Sequence, residues 1–168
     1  MATPTSLPAT FVAGNVLTAA QMNNLRGAFR IMQVVRATDA TLRNTTSTSF
    51  VDANISVTIT PTSSDSDILL VWIFTQVVTN SGGTHTRAQY QITDNSNVAI
   101  SGAEGILTGL LLSTLASFAG QTAIGYDSPA TTSATTYKGR FKAYEASQTA
   151  QINNQLNTGQ LFALEISA

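Results

Sequence analysis

The stretch Ile68-Leu69-Leu70-Val71-Trp72-Ile73-Phe74 is an unbroken run of apolar side chains that begins directly after a polar segment. A short apolar run that follows turn residues predicts a strand. Successive side chains of a strand point to opposite faces of its sheet. This strand is therefore apolar on both faces, and we expect it to lie at the centre of a sheet and to be covered twice.

Around this run the hydrophobic period is two, which predicts further strands from Met32 onward. The alternation is clearest at Ile55, Val57 and Ile59, whose neighbours in the chain are polar. The predicted strands are Met32–Thr38, Phe50–Thr60, Ile68–Val78, Thr86–Thr93, Val98–Ser101, a long stretch within Leu107–Ile124, Thr136–Tyr144, Ala150–Asn153 and Leu161–Ile166.

The connectors between these strands, such as Pro61–Ser66 and Asp94–Asn97, have the composition of turns. Many short strands at this spacing, with no long helix after residue 32, are typical of antiparallel all-β domains. The sequence therefore predicts one all-β domain, an antiparallel β-sandwich that is jelly-roll-like, over residues 32–168.

Residues 1–31 have a different character. Pro4, Pro8 and Gly14 predict an extended arm, and Thr18-Ala19-Ala20-Gln21 has the form of a capping box that begins a short helix. Its apolar side predicts either a seam between helices of separate copies or a single helix that packs on the neighbouring sheet. The residues expected to form the anchor and the oligomer interface are Phe11, Val16, Leu17, Met22, Leu25 and Phe29.

The composition is poor in charge for a free-standing domain. Of the 168 residues, 10% are charged and 43% are hydrophobic, whereas about 25% charged residues is usual. The central run and the apolar residues between Leu107 and Phe118 exceed what one inner face can bury. We therefore expect an obligate homo-oligomer, which buries an apolar face against identical subunits.

Several classes of partner and location are disfavoured. Eight basic residues against nine acidic ones give no field that attracts phosphates, so we expect no nucleic-acid partner. The longest apolar run, Ile106–Leu112, is far shorter than the roughly 20 residues that span a bilayer. Residues 1–8 lack the pattern of a secretory signal, so we expect synthesis and assembly in a cytoplasm.

The residues that usually carry chemistry are scarce. The chain has no Cys, and His85 is its one His, so a thiol nucleophile, a thiolate zinc site and a multi-histidine metal site are excluded. Asp65 and Asp67 lack the frame of a calcium loop and are expected to lie in a solvated turn. No pattern places two carboxylates in one cleft. We expect neither an enzyme nor a cofactor.

One group of basic residues follows the alternation of a strand. Lys138, Arg140 and Lys142 alternate with apolar or small residues, so the three cations project from one face of one strand. They are the candidate ligand-binding residues, for an acidic partner or an anionic glycan. The alternative is a solvated outer face that discourages edge pairing.

Two parts of the chain resemble proteins of tailed bacteriophages. Residues 7–23, Leu-Pro-Ala-Thr-Phe-Val-Ala-Gly-Asn-Val-Leu-Thr-Ala-Ala-Gln-Met-Asn, resemble the "aG-x-x-LTAAqmN" leader that begins many virion proteins. The stretches Ile31–Val35, Thr45–Asp52, Ile59–Ser64 and Leu161–Ile166 resemble the β domain of phage fibre, tail and head-appendage proteins. The likeness covers the first 80 residues and the last few.

This resemblance implies a structural component of the virion, assembled in the cytoplasm of the bacterial host. Residues 1–31 would anchor the subunit to other virion proteins, and a trimeric β domain would project outward. Asp65 and Asp67 stand where relatives commonly carry Ser and Lys, so the role of that loop is left open. The alternative function is a carbohydrate-binding module that recognises a host-surface glycan.

Overall fold

The computed structural model describes residues 14, 16, 18–19, 31–80, 86–110, 117–155 and 157–167. From residue 31 onward the described part consists of strands and their connections, so the prediction of an all-β antiparallel sandwich is confirmed. The predicted helix and most of the arm lie outside the described residues. The strands are β1 Ile31–Asp39, β2 Leu42–Thr45, β3 Val51–Ile59, β4 Asp67–Asn80, β5 Thr86–Asp94, β6 Ile106–Leu110, β7 Ser117–Asp127, β8 Thr135–Ala143, β9 Gln148–Asn153 and β10 Gly159–Ile166.

The strands form two sheets, which we call the β4 sheet and the β8 sheet. In the β4 sheet, β7 runs along one side of β4, while β10 and β9 pair with the first and second parts of its other side. Beyond them, β1 pairs with β10 and β2 pairs with β9. The β8 sheet has the order β3-β8-β5-β6. The central position expected for the run 68–74 is confirmed, because β4 has neighbours on both sides.

The pairing is nested along the chain. The pairs β1 with β10, β3 with β8, β4 with β7 and β5 with β6 are all antiparallel. The chain is thus folded in half at the β5–β6 connection, and the resulting long hairpin is wound into two sheets. This is the connectivity of a jelly roll, with β2 and β9 as an additional pair.

Three details differ from the predicted strands. The segment Val98–Ser101 is not a strand, since only Ala99 bridges to Thr93; there the Asp94 carboxylate accepts the Val98 N–H at 2.8 Å and closes a tight turn. The stretch within Leu107–Ile124 forms two strands in different sheets. Strand β2 was not predicted, because its sequence Leu-Arg-Asn-Thr has no apolar alternation.

The core lies between the two sheets and centres on Trp72, which is fully buried. The Trp72 ring centroid lies 4.2 Å from that of Phe74, and the Phe74 centroid lies 4.6 Å from that of Tyr90. Gly139 of the opposite sheet lies directly against the indole, since a Cβ built there would be 2.8 Å from Trp72 Cζ2. The close approach of the two sheets at this point requires glycine.

A buried carboxylate ties the loop after β3 to the β4 sheet. The Thr62 backbone N–H and hydroxyl both donate to Glu165 Oε1 at 2.7 Å, and Gln33 Nε2 donates to Oε2 at 2.7 Å. Burial by itself raises the pKa of Glu165, but hydrogen bonds from Thr62, Ser66 and Gln33 outweigh burial and hold the pKa below its ordinary value.

We expect Gly139→Ala to destabilise the fold by about 1–3 kcal/mol, because the added methyl overpacks the contact between Trp72 and β8. Gly120→Ala is the matched control in β7, where an added Cβ meets no atom within 4 Å. That control should change the free energy of unfolding by less than about 0.5 kcal/mol. Urea unfolding of both variants measures the difference, and equal effects would contradict the proposed packing.

We expect acid to remove the stabilisation that Glu165 provides. Because its folded-state pKa lies below the unfolded value, this contribution is fully present above the unfolded pKa and is lost as the pH falls through the folded pKa. Glu165→Gln should lower the free energy of unfolding at pH 7 by about 1–3 kcal/mol and flatten its decline in acid. Glu145→Gln, at an exposed position, should keep the wild-type pH profile. Parallel profiles for wild type and Glu165→Gln would contradict the assignment.

Candidate functional site

The outward side of the β8 sheet is polar, and we call it the polar face. Its cross-strand neighbours include Ser56 with Lys138, Asp52 with Arg140, and Lys142 with Gln89. The members of the polar face are Asp52, Ser56, Thr58, Arg87, Gln89, Gln91, Thr136, Lys138, Arg140 and Lys142.

The three candidate ligand-binding cations lie where the alternation placed them. Lys138, Arg140 and Lys142 are half-buried on the polar face, while Tyr137 and Phe141, which alternate with them, are buried in the core. The pKa of the Tyr137 hydroxyl is raised, first by burial and then by its hydrogen bond to Asp127.

Each of the three cations already has a partner within the chain. Lys138 Nζ donates to Asn97 Oδ1 at 2.9 Å. Arg140 Nη2 donates to the Phe50 carbonyl at 2.7 Å, and its Nε lies 3.3 Å from Asp52 Oδ1. Lys142 Nζ lies 5.0 Å from the centroid of the Phe50 ring, a cation–π contact. The three cations therefore hold two connections against β8: the segment before β3, through Phe50, and the segment after β5, through Asn97.

A bulge in β3 opens a groove beside Lys138. Asp52 pairs with Arg140 and Ser56 pairs with Lys138, so three residues of β3 lie opposite Gly139 alone. Within the bulge Asn54 has φ 54°, a left-handed conformation that Asn tolerates better than most residues. The groove has a volume of about 320 Å³, and its lining residues are Asp52, Asn54, Ile55, Ser56, Lys138 and Gly139.

The groove brings together a carboxylate, an amide, a hydroxyl and an ammonium group. This set offers both donors and acceptors over a short distance, which suits a ligand with several hydroxyl groups. The sequence indicated Lys138 alone. Asn54 and Ser56 were missed as site residues because a bulge of two extra residues preserves the inward–outward alternation of β3, so the pattern carries no sign of it.

Where β1, β10, β4 and β7 lie side by side, the outward side of the β4 sheet carries two apolar rows, which we call the apolar face; the next row along these strands is mostly polar, with Thr38, Gln160, Ile73 and Thr122. Two rows of cross-strand neighbours run over four strands, and only Arg36 among their eight residues is charged. The first row is Val34, Leu164, Leu69 and Tyr126, and the second is Arg36, Phe162, Val71 and Ile124. Val34 and Ile124, at the two edges, are 55% and 53% exposed.

The apolar residues between Leu107 and Phe118, which were expected to form one apolar surplus, do not all share one face. Leu107 lies on the polar face beside Gln89, whereas Phe118 lies on the outward side of the β4 sheet beside Val77, separated from the apolar face by Gly120 and Thr122. The reason is that β6 and β7 belong to different sheets.

The expectation of a solvated turn is right for Asp65 and wrong for Asp67. Asp65 is exposed, but Asp67 is buried at the start of β4 and accepts hydrogen bonds from the Tyr126 and Ser128 hydroxyls. The bond to Asp67 is the main cause that raises the pKa of Tyr126 to about 12. Asp67 therefore fastens the edge strand β7 to β4.

Of the predicted anchor and interface residues, Val16 is described and exposed. Phe11, Leu17, Met22, Leu25 and Phe29 lie outside the described residues, as does His85. Among the residues that the structure describes, no three His, Cys, Asp or Glu side chains are grouped to hold a metal ion. No helix in the described ranges is long and apolar enough to cross a membrane.

The sequence matches no known protein family, and no curated protein shows significant similarity to it.

Proposed function

We propose that the chain is a structural subunit of a tailed-bacteriophage virion: a fibre, head-appendage or tail-tip component. Residues 1–31 anchor it, and the β-sandwich is displayed. The observation that carries this proposal is the contrast between the two outer faces of the sandwich. The apolar face has a single charge among the eight residues of its two rows, whereas the polar face holds Asp52, Arg87 and the three cations of β8.

A monomeric sandwich needs polar residues on both of its outer faces. Large contiguous apolar patches on soluble proteins mark surfaces that another molecule covers. The two faces therefore suit a subunit that is covered on one side and exposed to solvent on the other. Five of the 17 charged residues of the chain lie on the polar face, which is the side that this proposal exposes.

The resemblance of residues 7–23 to a phage leader supports the anchoring role of the N-terminal segment. A proline-containing arm loses conformational entropy when it becomes ordered on a partner, which lowers its affinity for a given contact area. Repeated copies on one particle then make weak host-surface contacts effective through avidity. The proposal assigns the chain no catalytic step and no cofactor.

We expect particles of the encoding phage to contain the chain as a constant component. After density-gradient purification, mass spectrometry should find it at a fixed ratio to the major capsid protein. A variant without residues 1–20 should keep the wild-type circular dichroism and melting temperature but be absent from particles. Loss of folding in that variant, or its undiminished incorporation, would contradict the anchoring role. Recovery of the intact chain only in the particle-free fraction would contradict the virion role.

A second candidate function is glycan recognition, which the bulge groove beside Lys138 favours. Its lining supplies hydrogen-bond donors and acceptors for sugar hydroxyls, and the left-handed Asn54 keeps the bulge open. None of the six lining residues is aromatic, so binding there would depend on hydrogen bonds rather than on ring stacking.

If the groove binds glycans, we expect Lys138→Ser to abolish the signal of the full chain on a glycan array. Lys142→Ser is the matched control, because Lys142 lies on the same face of β8 but does not line the groove. Its signal should match the wild type. No signal for the wild-type chain, or equal signals for both variants, would remove this candidate.

A further inference from the structure

We infer that the bulge groove binds a single sugar residue of a neutral saccharide, through Asp52, Asn54 and Ser56 of β3. The inference rests on the glycan-recognition candidate proposed above and names the class of its ligand. It differs from the anionic glycan that the basic residues of β8 indicate in the sequence, because the charge of Lys138 is directed away from the groove.

Lys138 lines the groove, but its ammonium group is held on the β5 side of β8. The groove lies between β3 and β8, which supply all of its lining residues. Lys138 Nζ donates to the Asn95 carbonyl at 3.2 Å and to Asn97 Oδ1 at 2.9 Å. Both acceptors follow β5, which pairs with the other edge of β8. The methylene stem of Lys138 therefore forms the wall of the groove, while its charge is turned to the far side of the strand.

The charged group that lies open to the groove is the carboxylate of Asp52, whose side chain is 50% exposed. Asp52 Oδ1 lies 3.3 Å from Nε of Arg140, whose side chain is 17% exposed. Within the described ranges, Asp52 Oδ2 accepts no hydrogen bond. An anion in the groove would meet this carboxylate, and a cation would meet the guanidinium behind it. The electrostatics of the groove therefore favour a ligand without net charge.

The side chains of Asn54 and Ser56 are open to a ligand, unlike that of Thr58 on the same side of β3. Thr58 Oγ1 and Thr136 Oγ1 lie 2.8 Å apart and share a hydrogen bond across the two strands. Asn54 and Ser56 are exposed and make no side-chain hydrogen bond with another residue that the structure describes. The bulge thus leaves an amide and a hydroxyl free to donate and to accept hydrogen bonds.

The size and the polar groups of the groove match one sugar residue. Its volume of about 320 Å³ lies at the lower end of the range of about 300–1,000 Å³ for ligand sites. The two oxygens of a carboxylate accept hydrogen bonds from neighbouring hydroxyl groups, and bonds to a charged acceptor are the strong ones. The stem of Lys138 offers an apolar wall to the C–H groups of the ring. The ligand that fits is a neutral sugar with two adjacent hydroxyl groups.

Saturation-transfer NMR on the full chain tests the class of ligand. The neutral probes are the methyl glycosides of glucose, galactose, mannose, rhamnose and N-acetylglucosamine, and the anionic probes are those of glucuronic acid and N-acetylneuraminic acid. We expect transfer to at least one neutral probe and none to the two acids. Transfer to the acids alone, or equal transfer to both classes, would overturn the inference and retain glycan recognition. No transfer to any probe would also overturn it, and the glycan array then decides separately whether the candidate function stands.

Four variants locate the site by titration with a neutral probe that responds. Lys138→Met keeps the stem and removes the charge, so the dissociation constant should change by less than about threefold, whereas Lys138→Ser removes both. Asp52→Asn removes the charged acceptor and should weaken binding at least about tenfold. Asn54→Gly removes the amide but keeps the left-handed backbone, and should weaken binding at least about fivefold. Ala130→Gly is the matched control, because Ala130 also has a positive φ, 50°, and does not line the groove.

Wild-type affinity in both Asp52→Asn and Asn54→Gly would place the site elsewhere and overturn the inference. A tenfold loss in Lys138→Met would overturn it as well, because binding would then depend on the charge of Lys138. Melting temperatures separate lost binding from lost folding, and Asn54→Gly decides the matter if Asp52→Asn unfolds. None of these results bears on the virion role, which the particle experiment tests independently.

Discussion

Strand β4 is apolar on both faces, and this one constraint shapes the molecule. On the inner side, Ile68, Leu70 and Trp72 are fully buried between the two sheets. On the outer side, Leu69 and Val71 are only half-buried, and Ile73 is exposed. A sandwich of two layers covers its central strand on one side only. The apolar residues on the other side of β4 are the physical reason for our proposal that the chain is part of an assembly.

The sequence predicted the fold well where burial imposes a period. The inward residues of β3 and β8 alternate strictly, so these strands and the basic face of β8 were identified from the pattern. Strand β2 has no such pattern, because it is held by its pairing with β9 and not by an apolar face. The segment Val98–Ser101 looked like a strand through its apolar residues, but it follows a tight turn closed by the hydrogen bond from Val98 to Asp94 and makes only one bridge to β5.

The candidate surfaces were harder to predict, since each depends on register. The groove beside Lys138 arises from a bulge of two residues in β3, and an even insertion leaves the alternation intact. The surplus of apolar residues was visible in the composition, but its location was not. Leu107 and Phe118 are close in the chain but lie on opposite sheets. Only the pairing of β6 with β5 and of β7 with β4 shows that they do not share a surface.

The most direct test of the central claim is the mass of the unmodified full-length chain in solution at micromolar concentration, measured by multi-angle light scattering. The account predicts a single species at a small multiple of 17.6 kDa, three copies if the trimer that the resemblance implies is formed. A stable species of one copy, soluble and without larger forms, would show that the outer side of β4 needs no second cover and would contradict the account.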